Sequence, residues 1–337
     1  MKAIAPGKLI LSGEHAVVYG RPAIAMAVDR CAQAVVVPSA EAGDTVAIDL
    51  QDLQQMESFT VRALRDLKGR VVKNYRMFLD GQLGIRDVLH KPIELFQYAF
   101  ITILDALHLK VAGGMKIQLH SNIPIGCGMG SSAATVLSVL RSIGHYFRVE
   151  FRPEWYQSYS LEAENLQHGH ASGVDTYISL NGGCARFQEG QAEALPLPRM
   201  PLHLVNTGTP ASTTGECVAQ VRARHANSRI WDDFEAVTRS MEKAVVTNNL
   251  KDIQSCVREN QRLLDAIGVV PARVGGFVSD IEKQGAAAKI CGAGSVAGDN
   301  AGIVMVCAKD PPKALCAKYG YQLMSVRGEP LGARIVG

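Results

Sequence analysis

The sequence has no Cys-x-x-Cys pair and no cysteine–histidine cluster with zinc spacing, so neither a redox dithiol nor a structural zinc module is expected. His168 and His170 are close together but have no third ligand nearby. Long apolar runs are also missing. The best, residues 99–107, falls far short of the roughly 20 residues a membrane helix needs. The apolar start is interrupted by Gly7, Lys8, Gly13 and Glu14, a pattern that does not read as a signal peptide. There is no internal repeat and no low-complexity linker. Strong charge of one sign is absent as well: the net charge is +3. That balance excludes a broad nucleic-acid coat and leaves room for a local basic pocket for a phosphate-bearing ligand.

What is present is the composition of a folded chain, 47% hydrophobic and 20% charged over 337 residues, enough for two domains. The eight cysteines, at 31, 127, 184, 217, 256, 291, 307 and 316, are scattered. They read as reduced, mostly buried residues of a cytoplasmic protein. Short β-rich runs at residues 3–12, 32–38, 45–50 and 114–119 predict strands. Apolar residues at three- and four-residue spacing predict helices at 92–107, 133–147 and 155–168. After the proline-rich stretch 195–202, strand 202–206 opens a second half with helices at 230–248, 250–267 and 272–284, then strands at 302–307 and 325–328. Strands followed by helices in each half predict two layered α+β domains, 1–198 and 199–337, with a cleft between them.

The most informative segment is PIGCGMGSSAA, residues 124–134, between a strand and a helix. Gly126, Gly128 and Gly130 let main-chain N–H groups face a ligand. Ser131 and Ser132 stand where a helix begins and its unpaired N–H groups converge. That arrangement suits a phosphate chain. No lysine precedes the serines, so this is not a Walker loop, and the spacing fails the dinucleotide fingerprint. Taken alone, the segment is also readable as a serine-capped turn.

Three segments together narrow the reading. APGKLILSGEHAVVYGRPAIAMAVD (residues 5–29), the glycine-rich loop, and KICGAGSVAGDNAGIVMV (residues 289–306) resemble, in order and separation, the three motifs of the GHMP kinases. ENLQHGHASGVDTYISLNGG (residues 164–183) and NQRLLDAIGVV (residues 260–270) are similar to the mevalonate kinase branch. The resemblance implies an N-terminal α/β sandwich domain and a C-terminal ferredoxin-like domain. It also implies ATP and Mg2+ as cofactors, mevalonate as acceptor, and direct phosphoryl transfer. It is compatible with a homodimer and points to neither nucleic acid nor membrane.

By the same resemblance Asp175 is the catalytic base and Lys8 its neighbouring cation, offsetting charge on the moving phosphoryl group. Glu164 and Ser132 would hold the metal. Pro124, Gly126, Gly128, Met129, Gly130, Ser131, Ser132 and Ala133 form the nucleotide cradle. Glu14, His15, Thr214, Gly292, Ala293 and Gly294 line the acceptor side, with Thr213 equally close to the Thr214 role. Each residue has a plainer reading: Lys8 as an outward lysine on a strand, Asp175 as a helix N-cap, Glu164 as an exposed helix carboxylate. The third motif departs from the family at residues 295–302, where SVAGDNAG stands in place of further glycines. Another GHMP acceptor, phosphorylated or a sugar, stays open at this point, as does a homologue that binds nucleotide without turnover.

Overall fold

The computed structural model describes residues 2–39, 43–149, 152–169 and 171–337. The first half runs β1 (Lys2–Ser12), β2 (Ala23–Pro38), β3 (Thr45–Leu50), β4 (Gln55–Thr60), α1 (Val61–Leu79), α2 (Ile93–Ala106), β5 (Met115–Ser121) and α3 (Ser131–Phe147). It continues with α4 (Pro153–His168), α5 (Val174–Asn181), β6 (Cys184–Gln188) and β7 (Gln191–Leu195). The second half contains β8 (Leu202–Asn206), α6 (Thr214–His225), α7 (Ile230–Val246), α8 (Leu250–Ala266) and α9 (Ala272–Lys283). It ends with β9 (Ala287–Ile290), β10 (Ile303–Cys307), α10 (Lys313–Tyr319), β11 (Gln322–Ser325) and β12 (Arg334–Val336).

The first sheet has the order β12-β1-β2-β5-β3-β4, with β6 joined to β2 and β7 to β6. All its pairs are antiparallel except β3 with β5. The second sheet is antiparallel, in the order β11-β8-β10-β9. Renumbered from its own first strand, that order is 4-1-3-2, with helices after its first and third strands. This is the ferredoxin-like arrangement, and the mixed α+β architecture agrees with the sequence reading. The step from the first sheet to the second falls between β7 and β8, inside the proline-rich stretch.

Strand alternation divides the interior. Ile303, Met305 and Cys307 of β10 join the large core that includes Leu9 and Leu11 of β1, Ile24 and Met26 of β2, and much of α2 and α3. Val304 and Val306 face a second core with Phe277 and Ile281 of α9, Trp231 and Phe234. The large core therefore runs through both sheets and holds them together. Among the described residues no helix is long and apolar enough to cross a membrane.

The end of the chain departs from the sequence expectation in two ways. The strand expected at 325–328 lies instead at Gln322–Ser325, and Gly328 keeps only an isolated bridge to Val28. The chain leaves the second sheet here because Asp29 captures it: its backbone N–H donates to the Arg327 carbonyl at 3.0 Å, and its carboxylate accepts from the Arg327 N–H at 2.9 Å. The terminal strand β12 then returns to pair with β1, Lys2 opposite Val336. On its way it presses Gly332 onto the Leu180 carbonyl at the end of α5, and Ala333 N–H donates to the same oxygen at 3.1 Å.

A methyl group at Gly332 has no space against that carbonyl. Gly332→Ala is expected to lower unfolding free energy by about 1–3 kcal/mol, read as a shifted urea midpoint at unchanged slope.

Candidate active site

In β1, Leu9 and Leu11 point into the large core, whereas Ile10 packs on the opposite face with Ala25, Ala27, Val174 and Ile178. Lys8, two residues from Ile10, shares that second face, which α5 covers. Its side chain is buried, at 4% exposure. Its ammonium lies 3.0 Å from Oδ1 of Asp175, in the first turn of α5. The N-cap of α5 is Gly173, so the capping position is not Asp175's. The Asp175 side chain keeps 30% exposure. A register shift between Pro6 and Gly7 interrupts the β1–β2 ladder just before Lys8, and the Lys8 N–H donates to the Met129 carbonyl at 3.0 Å. Bulges commonly re-aim side chains beside active sites in this way.

Met129 belongs to the glycine-rich loop between β5 and α3. Gly130, at φ 67°, is the N-cap of α3, and no side chain caps that helix. Its first-turn N–H groups, from Ser131 to Ala133, are therefore left for an anion. A Cβ on Gly130 would sit 3.1 Å from Cγ of Lys8 and 3.2 Å from Oδ2 of Asp175. The helix N-terminus thus lies directly over the ion pair. Gly128, at φ 81°, lies so close to the third motif that a Cβ would come within 2.9 Å of the Cys291 carbonyl. Pro124 and Gly126 lie further out on the same loop.

Glu164, on the face of α4 toward α3, is buried at 3% exposure, and its Oε1 has no hydrogen-bond partner. Burial pushes its carboxyl up to about 8, and the Asp175 charge adds to the rise; the Ser132 hydroxyl and Lys8 oppose it. His168 Nε2 stands 3.8 Å from Glu164 Oε2, and burial pushes that imidazole below its ordinary value. His170 lies outside the described residues. Glu164, Ser132 and Asp175 together offer hard oxygen donors with one buried lone pair unspent. This donor set fits magnesium carried in by phosphates, since that ion takes one or two protein carboxylates rather than a full protein cage.

His15 adopts φ 59° and donates from Nε2 to the Ala293 carbonyl at 3.0 Å. Burial lowers its basicity against the smaller upward pulls of that carbonyl and Glu14, which favours the neutral ring. Its Nδ1 is an unpartnered acceptor, better suited to a hydroxyl than to a carboxylate. Glu14 does not join this group: both of its oxygens are engaged, one by Lys289 and one by Asn260 at 3.1 Å.

Gly292 packs on Gly128, and Gly294 on the Val269 carbonyl. Thr214 is exposed at the first turn of α6, while Thr213 caps that helix in a capping box with Glu216. The atypical residues 295–302 are folded back: Ser295 Oγ donates to the Ala297 carbonyl at 2.6 Å, and Ala301 N–H donates to Thr207 Oγ1 at 3.0 Å. Lys289 was not among the residues singled out from the sequence. Its signal was legible, since a lysine within AAKI beside an apolar motif needs a buried anion.

The sequence profile of the GHMP kinases N terminal domain matches residues 94–183. The mevalonate kinase of Pyrococcus furiosus is 31% identical over 312 residues, covering 87% of this chain and 86% of that protein. The mevalonate kinase of Thermococcus sibiricus is 30% identical over 308 residues, covering 87% and 86%. The crystal structure of the Methanococcus jannaschii mevalonate kinase superposes with a TM-score of 0.81 at 23% identity, over 97% of this chain and 98% of the other. With the glycine loop, the buried Lys8–Asp175 pair and the third motif in one place, and with relatives matched across most of both chains, the chain belongs to the mevalonate kinase family of the GHMP kinases.

Proposed function

We propose that this protein transfers the γ-phosphoryl group of ATP to the primary hydroxyl of mevalonate, giving 5-phosphomevalonate, in the cytoplasm. The observation that carries the reading is the Lys8–Asp175 pair beneath the uncapped N-terminus of α3. It supports a site with an anion cradle on one side and a carboxylate facing a hydroxyl on the other.

In this reading the loop from Pro124 to Gly130 and the first N–H groups of α3 hold the nucleotide phosphates. Asp175 orients the acceptor hydroxyl and takes its proton as the new O–P bond forms and the bond to the β-phosphate oxygen breaks. Lys8 balances charge on the moving phosphoryl group. Glu164 and Ser132 would hold magnesium, which when bound neutralises phosphate charge. His15 accepts a hydrogen bond from an acceptor hydroxyl at Nδ1. The 292–294 turn closes the floor, and Thr214 stands at the rim. Domain limits of 1–198 and 199–337 place the cradle and the ion pair in the first unit and the floor in the second, with β12 returning across that division.

ADP release measured with mevalonate, phosphomevalonate, homoserine and galactose tests the acceptor. Turnover confined to mevalonate is expected, and turnover only with another acceptor would discard the assignment. Asp175→Asn is expected to retain nucleotide affinity while kcat falls by about 10²–10⁴-fold, and near-parental kcat would remove Asp175 from the mechanism.

Glu164 makes stability depend on pH in a direction opposite to an ordinary surface carboxylate. Its folded value of about 8 lies above the ordinary value of 4.5, so between these the unfolded chain releases a proton that the native one keeps. Stability of the unliganded protein is therefore expected to fall as pH rises through that window, by on the order of a few kcal/mol. Chemical denaturation across pH should show this decline, and Glu164→Gln should flatten it while raising the magnesium needed for half-maximal rate.

A further inference from the structure

Glu14 and Lys289 form an ion pair shut away from solvent, their side chains 1% and 0% exposed. Lys289 also donates to the Ile10 carbonyl at 3.1 Å. The second Glu14 oxygen accepts from Asn260 Nδ2, and Asn260 Oδ1 accepts from Ser12 Oγ at 3.0 Å and Gly13 N–H at 3.3 Å. Ser12 Oγ and Thr238 Oγ1 lie 2.7 Å apart in a further hydrogen bond, and Gln261 Oε1 accepts from Ile290 N–H at 2.9 Å. One buried polar network therefore ties the end of β1 to α7, α8 and β9, and it joins the two sheets.

The network ends next to the site on one side of the cleft floor and a few residues short of it on the other. Glu14 precedes His15, whose left-handed backbone must be held by its surroundings. Lys289 stands on the strand that leads into Ala293, the acceptor of the His15 hydrogen bond. A buried ion pair is a poor source of stability, because apolar residues of similar volume commonly serve as well. What it supplies is direction: only one pairing of strand ends satisfies both charges and the amide between them, whereas apolar packing tolerates small slips.

We infer that Glu14 and Lys289 are a positioning pair. They fix the register of the loop carrying His15 against the turn carrying Ala293, without touching either substrate. The pair thereby sets the acceptor side of the cleft, while Lys8, Gly130 and α3 hold the nucleotide side of the same floor. The identity of the acceptor rests on the proposed function; the register itself does not.

The test is Glu14→Leu/Lys289→Met, which removes both charges at similar volume and leaves none buried alone. The double variant is expected to fold, with its urea midpoint and its affinity for a non-hydrolysable ATP analogue close to parental. Its KM for the acceptor should rise by about tenfold or more with KM for ATP little changed. In 15N-histidine spectra, with the His15 signal assigned by loss in His15→Gln, the parent should show one neutral Nε2–H tautomer. The double variant should show that signal averaged between tautomers. The spectrum needs no turnover, so it separates failure of this inference from failure of the acceptor assignment. A folded double variant with parental acceptor KM and a parental His15 signal would overturn the proposal. So would a variant that fails to fold, or one that loses both substrates equally, since the pair would then serve stability alone.

Discussion

A lysine at 4% exposure in the middle of a strand is tolerable only beside an anion, and Lys8 imposes that requirement on everything around it. The anion has to come from the element covering its face of the sheet, which fixes α5 across β1 and β2 with Val174 and Ile178 in the gap. Asp175 must fall in the first turn, where Lys8 can reach it, so the turn before it has to break the helix direction at Gly173. The pair also crowds the place a side chain would take at Gly130, and α3 starts directly above it. The same cation that demands a partner for folding thus gathers the carboxylate, the helix terminus and the open side of the cleft in one place.

A second constraint is steric. Segments far apart in sequence touch through main chain alone: Gly128 against Cys291, and Gly302 against the Cys127 carbonyl. Contacts between backbones have no rotamers to adjust, so the anion cradle and the floor beside it form one rigid unit. Rigid donors aimed at charge before it develops are what electrostatic catalysis requires, because nothing has to reorganise during reaction. The large core shared by the two sheets supports this unit from below.

Much of this was legible in the residues because the signals are local. The alternation in β1, the apolar stripes of α2, α3 and α8, and the strand–glycine loop–helix order all follow from neighbours within a few turns. Helix α1 was not foreseen because its buried stripe is thin: Val61, Leu64 and Val71 among basic and polar neighbours. The length of β2 was underread because its first part, AIAMAV, is rich in alanine, which favours neither period. The ferredoxin-like strand order and the return of β12 depend on pairings with no local trace. Glu14 illustrates the limit at the site. Its motif brought it to the cleft, but only the fold shows that its carboxylate turns inward to Lys289, away from any acceptor.

The pairing of β12 with β1 has a consequence for how the molecule is made. A ribosome delivers the chain in order, at a few to some tens of residues per second, so β1 emerges long before the strand that borders it. Throughout that interval the first sheet carries an open edge beside Lys2–Ile4, and the end of α5 lacks the segment that buttresses it. An unpaired edge of this kind invites pairing with other nascent chains. The segment around β12 therefore acts as a late clasp: the helix that carries Asp175 gains this buttress only long after the rest of the first sheet has emerged.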